Sequence, residues 1–270
     1  MALPAQVVCG FVAAVVLVDL LTGAHLQLSS VAGYSPLVAG RFAGIGNVAF
    51  GVLAAAVLLA ASASRRAVVI AAIGLVAVAV DGAPSFGSDV GGVLALVPAF
   101  VLLAMLRTGT RVTLSRLALA GAGAAAVVTA FALADFARPA GDRTHLGRFV
   151  QDVVDGTAGE VLSRKAGAVL DLLLRSPVTA LLPLVVAAAV YLVVRPPAPL
   201  AAAFAAAPDW RHGLLAVGMA SALGFALNDS GAAVPALAIC VALPATLAVV
   251  ARARSEQGAA RPCVDGAPVG

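Results

Sequence analysis

Residues 45–66 read IGNVAFGVLAAAVLLAASASRR, and this stretch decides the fold of the chain. Its uncharged part, about nineteen residues, is long enough to cross the ~30 Å hydrocarbon core of a bilayer as a helix. It ends just before Arg65 and Arg66, and arginines in this position are typical of the cytoplasmic end of a membrane span. The stretch therefore predicts a transmembrane helix over residues 45–63.

The rest of the chain repeats this pattern. Hydrophobic residues make up 62% of the 270 positions and charged residues 11%, and the mean hydropathy is +1.06. A soluble domain carries roughly 25% charged residues, so a soluble protein of this size would lack a polar shell. The apolar runs predict eight spans, at 5–22, 45–63, 67–81, 89–106, 114–135, 177–194, 212–227 and 231–251. We expect an all-α polytopic transmembrane bundle.

The arginines indicate which way the bundle faces. With eight spans, one side receives Arg65, Arg66, Arg107, Arg111, Arg116, Arg195, Arg211, Arg252 and Arg254. The positive-inside bias makes that side, with both termini, cytoplasmic. Ten of the thirteen acids fall on the other side: Asp19, Asp81, Asp89, Asp135, Asp142, Asp152, Asp155, Glu160, Asp171 and Asp229. The net charge of +4 therefore reflects arginine placement, and no nucleic-acid partner is expected.

The spans define one transmembrane domain, residues 1–254, followed by a tail at 255–270 that we expect to be disordered and cytoplasmic. Residues 196–210 predict a cytoplasmic connector. The outer insertion 136–175 has apolar residues at helical spacing and predicts two amphipathic surface helices, 145–155 and 157–175. The abundance of Ala, Val and Gly, with arginine in place of lysine, indicates a GC-rich bacterial genome and hence a bacterial plasma membrane.

Two polar stretches at the outer ends of spans could carry chemistry. In residues 40–47, GRFAGIGN, Arg41 can hold a phosphate or carboxylate beside a helix N-terminus, and Gly44 and Gly46 let a ligand approach the backbone. The alternative is a glycine-rich helix start with Arg41 reaching the lipid headgroups. In residues 81–92, DGAPSFGSDVGG, Asp81 and Asp89 lie at the membrane boundary, where a carboxylate suggests function. The alternative is a turn with a helix cap.

Two further stretches lie on the same side. Residues 228–231, NDSG, offer Asn228, Asp229 and Ser230, although any tight loop uses such residues. Residues 142–148, DRTHLGR, contain His145, which could act as a general acid or base. A lone histidine is weak support for a metal site, and the three cysteines have no metal-binding spacing, so no metal is expected. No cofactor is indicated.

At these residues the chain resembles a family of uncharacterised bacterial multi-span membrane proteins. In longer members this membrane module stands beside a region described as alkaline-phosphatase-like or phosphoglyceromutase-like. The resemblance rests on GRFxGIGN at 40–47, PSFGxDxGG at 84–92, HLGR at 145–148, Arg164-Lys165 and NDSG at 228–231. It implies an all-helical membrane module and no particular activity.

Our leading hypothesis is an outward-facing polar site, roofed by the two surface helices, that binds or acts on a lipid-linked envelope precursor. Its anionic headgroup would be bound by Arg41, Gly44, Gly46, Asn47, Asn228, Ser230, Arg148, Arg164 and Lys165. Asp81, Asp89 and Asp229 would position or deprotonate a hydroxyl or hold a cation, and His145 would carry a proton. The alternatives are a transporter or lipid flippase and a non-catalytic scaffold for an envelope protein; the expected partners are membrane lipids and, in the last case, that protein. Whether the protein is an enzyme stays open.

Overall fold

The computed structural model describes residues 1–27, 44–160, 163, 167, 177–228 and 232–259, and within them every regular element is helical. The prediction of an all-α protein is confirmed for this part of the chain. The helices are α1 (Leu3–Leu21), α2 (Asn47–Ala61), α3 (Ala67–Gly82), α4 (Val90–Thr108), α5 (Leu114–Phe136), a 3-10 turn (Ala140–Asp142), α6 (His145–Val154), α7 (Pro177–Val194), α8 (Ala198–Ala206), α9 (Pro208–Leu227) and α10 (Ala233–Ala259).

Each of the eight predicted spans falls on one of these helices, but the helices differ in length. Among the described residues, four are long and apolar enough to cross a membrane: α1, α4, α5 and residues Ala233–Glu256 of α10. Residues Leu181–Val194 and Ala198–Ala206 form a pair bent by 63° that could supply a fifth crossing. Helices α2 and α3 are apolar but have only 15 and 16 residues. These lengths fit a multi-pass membrane protein.

Two predicted segments, the connector and the tail, differ from those expected. The predicted connector 196–210 contains α8, and α9 already begins at Pro208, because a proline in the first helical turn favours a helix start. Helix α10 continues to Ala259, so the predicted tail at 255–270 begins as helix, and residues 260–270 lie outside the described part. Most of the predicted surface helix 157–175 also lies outside it.

Helix α2 is the centre of the bundle. Ten of its 15 residues are buried, and they lie on every face of the helix: Phe50, Gly51, Leu53, Ala54, Ala55, Ala56, Val57, Leu58, Leu59 and Ala61. It packs against α1, α3, α4, α9 and α10. A helix that is apolar all round is stable only when other elements surround it, so its composition explains its central position.

Small residues allow α2 to pack this closely. A Cβ added to Gly51 would lie 2.6 Å from the carbonyl oxygen of Val234 in α10 and 3.0 Å from Leu237 Cβ. At the other end of α2, a Cβ on Gly213 of α9 would lie 3.0 Å from Ser62. Close backbone contact of this kind is how helices associate in membranes, where lipid is as apolar as the side chains.

The two ends of the bundle are chemically different. At one end, which we call the arginine end (Ser62–Arg66, Arg107 and Arg211), Gln6 Nε2 donates to Ser62 Oγ at 3.1 Å and to Asp209 Oδ2 at 2.7 Å. This buried contact joins α1, α2 and α9. At the other, acidic end lie Asp19, Asp81, Asp89, Asp135 and Asn228, all buried. The expectation that acids from distant stretches gather at one end of the bundle therefore holds for these residues.

The contact at Gly51 can be tested with a matched pair of substitutions. Gly51→Ala places a methyl group against the Val234 backbone, and overpacking of this kind costs about 1–3 kcal/mol. Gly123→Ala is the same change within α5, where no atom lies within 4 Å, and the better helix propensity of alanine stabilises by up to about 1 kcal/mol. Thermal unfolding in detergent should show a lower Tm for the first variant and an equal or higher Tm for the second. Equal shifts in both would contradict the packing described.

Candidate functional site

The turn between α3 and α4 brings two buried aspartates together. Asp81 lies in the last turn of α3, and Asp89 is the residue before α4. The Gly87 N–H donates to the Val80 carbonyl at 2.9 Å, and the Asp89 N–H donates to the Asp81 carbonyl at 3.0 Å. A Cβ on Gly87 would overlap the Asp81 carbonyl. Position 87 must therefore be glycine for the turn to close in this way.

The side chains of Asp81 and Asp89 meet at Gly92. Asp81 is 0% exposed and Asp89 is 2% exposed. A Cβ on Gly92 would collide with Asp81 Oδ2 and would lie 2.7 Å from Asp89 Oδ2 and 2.8 Å from the Phe50 ring of α2. Two carboxyl oxygens therefore occupy the space that a side chain at position 92 would take. Carboxyl groups buried beside an aromatic ring are costly and are a common feature of functional sites.

The geometry does not support the interpretation of Asp89 as a helix cap. A helix cap requires the side chain to accept a hydrogen bond from a backbone N–H in the first turn. Asp89 stands at the capping position, but its side chain makes no capping hydrogen bond. The preceding residue, Ser88, has a φ of +52°, a conformation that costs about 1 kcal/mol or more outside glycine. The α3–α4 turn therefore lacks a capping hydrogen bond from Asp89 and contains a strained backbone at Ser88. The Asp89 side chain instead meets Asp81 at Gly92.

Asn228 completes the group from a third helix. It ends α9, is 6% exposed, and its side-chain atoms are the nearest contacts of a Cβ built on Gly91. Its Nδ2 is buried and has no hydrogen-bond partner in the described part of the chain. Buried polar atoms in folded proteins nearly always have a partner, and an exception points to a bound water, ion or ligand. Asn228 thus lies at Gly91, and the two carboxyl groups lie at the next residue of α4, Gly92.

The start of α2 adjoins this group. Gly44 has a φ of +90° and lies against the Gly87 carbonyl, which accepts a hydrogen bond from the Ile45 N–H at 2.8 Å. The Gly46 N–H donates to Gln27 Oε1 at 3.1 Å, and Gln27 Nε2 donates to Asp19 Oδ2, also at 3.1 Å. These bonds fix the N-terminus of α2 beside the α3–α4 turn. Asn47, the first residue of α2, is partly exposed.

Asp135 attaches helix α6 to the same end. Its Oδ2 accepts hydrogen bonds from Thr144 N at 2.9 Å, Thr144 Oγ1 at 2.7 Å and Gly147 N at 2.7 Å, and its Oδ1 lies 3.1 Å from Arg138 Nη1. The acid thus binds the N-terminus of α6, where free N–H groups favour negative charge. Ser88 Oγ reaches Thr144 Oγ1 at 3.5 Å. Through Thr144, α6 is connected to the α3–α4 turn.

The structure brings together Asp81, Asp89, Asn228, Gly44 and Gly46 from the predicted site. His145 begins α6 and is exposed, as is Arg148 one turn later. The remaining predicted residues lie outside the described part of the chain: Arg41, Asp229, Ser230, Arg164 and Lys165. Sequence reasoning missed the bonds made by Gln27, because a glutamine shortly after an apolar run has no distinguishing pattern.

The composition of this group limits its chemistry. Within residues 1–27, 44–160, 177–228 and 232–259, no three His, Cys, Asp or Glu side chains are grouped as metal ligands. Two carboxyl groups and an amide can accept hydrogen bonds from hydroxyls, donate to an oxygen of a ligand, or hold a cation together with ligand oxygens. We refer to Asp81, Asp89, Gly91, Gly92 and Asn228 as the carboxylate cluster.

The role of Asp135 can be tested by hydrogen exchange. Asp135→Ala removes the acceptor of three N-terminal hydrogen bonds of α6 and one ion pair, and bonds to a charged group contribute about 1.5–3 kcal/mol each. We expect faster amide exchange across His145–Val154 and little change in α2. Asp142→Ala, an exposed acid close by in the chain, is the control and should leave exchange in α6 unchanged. If both variants exchange like the wild type, Asp135 does not anchor α6.

Comparison with known proteins identifies no relative whose function could be compared with that of this site. No protein-family model, no curated protein and no solved structure matches the chain. The resemblance to bacterial multi-span membrane proteins stays a prediction. The function of the carboxylate cluster is therefore inferred from its own residues and their surroundings.

Proposed function

We propose that the protein is an integral plasma-membrane protein of bacteria whose acidic end binds the headgroup of an anionic, lipid-linked cell-envelope precursor. The carboxylate cluster is the centre of that site. We include in the proposed binding site Asp229 and Ser230, which follow Asn228 in sequence, and Arg41, His145, Arg148, Arg164 and Lys165. The bundle crosses the membrane eight times, with both termini in the cytoplasm.

The single observation that carries this proposal is the buried Nδ2 of Asn228, which has no partner among the described residues and lies at Gly91, next to the Gly92 position where Asp81 and Asp89 meet. A structural role in packing would be served by an apolar side chain at position 228 without the cost of a lost hydrogen bond, about 1–3 kcal/mol. A bound oxygen atom removes that cost. The ligand therefore carries an acceptor oxygen that can reach the start of α4.

The neighbouring groups indicate what else the ligand contains. Carboxylates accept hydrogen bonds from hydroxyls, whereas helix N-termini and arginine favour phosphate or carboxylate oxygens. The start of α2 and the start of α4 both lie at the cluster. A molecule with both hydroxyl and phosphate groups, such as a sugar phosphate, matches both sets of groups.

The length of the helices supports a lipid-linked form of that molecule. At 1.5 Å per residue, α2 is about 22 Å long and α3 about 24 Å, shorter than a hydrocarbon core of ~30 Å. With Arg65 and Arg66 at the cytoplasmic surface, the outer ends of these helices lie below the opposite surface. The cluster is then recessed into the outer leaflet, where a ligand held by a lipid tail reaches it directly.

The orientation is tested by reporters. An export-dependent phosphatase inserted at Gly141 should be active, and a fluorescent protein that folds only in the cytoplasm should fluoresce when fused after Ser255. These reporter activities are expected because translocation of arginines across the membrane is unfavourable. The same two reporters exchanged between the sites serve as controls and should both be silent. Activity in the exchanged arrangement would place the acidic end in the cytoplasm and overturn this proposal.

The ligand is tested with the full chain in nanodiscs, with a polyprenyl-phosphate-linked hexose as the probe and phosphatidylcholine as the competitor lipid. Asp81→Asn, Asn228→Ala, Arg41→Ala and Asp229→Asn should each weaken binding of the probe roughly 10- to 100-fold, since each removes about 1.5–3 kcal/mol of charged or buried hydrogen bonding. Asp142→Asn, an exposed acid at the same end, should bind the probe like the wild type.

Retained binding in all four variants, or no binding by the wild type, would remove the carboxylate cluster from consideration. A second measurement in the same vesicles separates binding from transport. If a labelled lipid crosses between leaflets at a rate that these variants abolish, the protein is a flippase that uses this cluster. If the wild type neither binds nor moves the probe but purifies with a stoichiometric envelope protein, the scaffold alternative replaces the proposal.

A further inference from the structure

A second group of polar residues lies at the arginine end, far from the carboxylate cluster. It comprises Arg65 after α2, Arg107 near the end of α4, and Asp209, Arg211 and His212 in the first turns of α9. Helix α9 packs against α4, Gln6 joins Asp209 to Ser62, and Arg107 donates to the Ser64 carbonyl, so the start of α9 and the end of α4 meet at the turn after α2. These five side chains therefore form one polar group, although they come from three parts of the chain.

Arg107 and Arg211, the two partly buried arginines of this group, are held in place by backbone carbonyls. Arg107 Nε donates to the Ser64 carbonyl at 3.0 Å. Arg211 Nε and Nη2 donate to the carbonyls of Val193 and Val194, at 3.0 and 3.1 Å, and so satisfy the last turn of α7. In the described part of the chain these are the hydrogen bonds of the two guanidinium groups. The remaining N–H groups of both side chains can donate to a further acceptor.

His212 has an unused polar atom. Its Nδ1 is buried and has no hydrogen-bond partner among the described residues. An imidazole nitrogen in that position requires a water, an ion or a ligand as its partner. Protonated at Nδ1, the ring is a donor, as are the two arginines, so the partner that suits all three is an anion.

The acids of this group do not balance its positive charge. Asp209 is its one carboxylate, and Asp209 Oδ2 already accepts a hydrogen bond of 2.7 Å from Gln6 Nε2. Three arginines face that single acid. Guanidinium groups bind phosphate oxygens through paired N–H donors, and basic pockets between helices at the cytoplasmic surface bind the headgroups of anionic lipids.

We propose that Arg107, Arg211 and His212, with Arg65 at the rim, form a binding site for a phosphate group between α4, α9 and the turn after α2. The phosphate is that of an anionic phospholipid of this leaflet or a free anion. The site is independent of the proposed function, because it lies at the opposite end of α2 and shares no residue with the carboxylate cluster. A phosphate here neutralises repulsion between arginines and joins α9 to α4.

The experiment uses the delipidated full chain and native mass spectrometry, with phosphatidylglycerol and phosphatidylcholine as probes. The wild type should retain phosphatidylglycerol in preference to phosphatidylcholine. His212→Leu and Arg107→Lys should each weaken phosphatidylglycerol binding about tenfold or more, as expected when a charged hydrogen bond of roughly 1.5–3 kcal/mol is lost. The lysine variant keeps the charge and removes only the planar pair of donors.

Arg252→Gln is the matched control, since Arg252 is an exposed arginine at the same end that pairs with Glu256 at 3.3 Å. It should bind phosphatidylglycerol like the wild type. An equal loss in the control, or no loss in either test variant, would overturn the proposal in favour of general attraction to a basic surface. A Tm measured for each variant identifies any loss of binding caused by unfolding. Arg65→Gln, at the exposed rim, should cause a smaller decrease in phosphatidylglycerol binding.

A further titration separates the two sources of phosphate. If millimolar inorganic phosphate displaces phosphatidylglycerol from the wild type and from Arg252→Gln to the same degree, the phosphate group alone is recognised. Binding of phosphatidylglycerol that resists inorganic phosphate yet is lost in His212→Leu shows that the lipid is the ligand. Displacement that is the same in His212→Leu as in the wild type would contradict a site at this histidine.

Discussion

The close approach of Gly87 to the carbonyl of Asp81 is the contact on which the acidic end depends. With no Cβ at position 87, the chain after α3 folds back far enough for Asp89 to hydrogen-bond to Asp81. The carbonyl of Gly87 also accepts a hydrogen bond from the Ile45 N–H, and this bond positions the start of α2. One glycine thus determines both the distance between two carboxyl groups and the place of the central helix beside them. Any larger residue would separate these elements.

The central helix then determines how the two ends of the bundle are related. Because α2 is buried on all sides, its ends are the points where the chain can place polar groups without facing lipid. At one end, the Gly46 N–H donates a hydrogen bond to Gln27, and at the other end Ser62 accepts a hydrogen bond from Gln6. The carboxylate cluster and the polar residues of the arginine end are therefore chemically opposite groups separated by one short helix.

Much of the fold could be predicted, because apolar runs ending at arginines identify helices in the membrane. Each predicted span coincides with a helix, and the acids at 19, 81, 89 and 135 do lie at one end. The boundaries near Pro208 and Ala259 were wrong by several residues, since a helix end depends on local capping and packing that hydropathy does not report. The sequence also did not distinguish Asp89 as a cap from Asp89 as part of a cluster. Only the absence of a capping bond separates these interpretations.

By itself, the sequence determined the class of the molecule, the places of its helices and the gathering of the buried acids at one end. Those properties follow from the bilayer, which requires apolar spans and charges at their ends. Tertiary structure alone decided that Asn228 lies against Gly91, that Asp135 binds the start of α6, and that Gln6 joins Ser62 to Asp209. Such pairings join residues far apart in the chain. They arise from helix packing, which depends on shape at each contact and leaves no periodic pattern in the sequence.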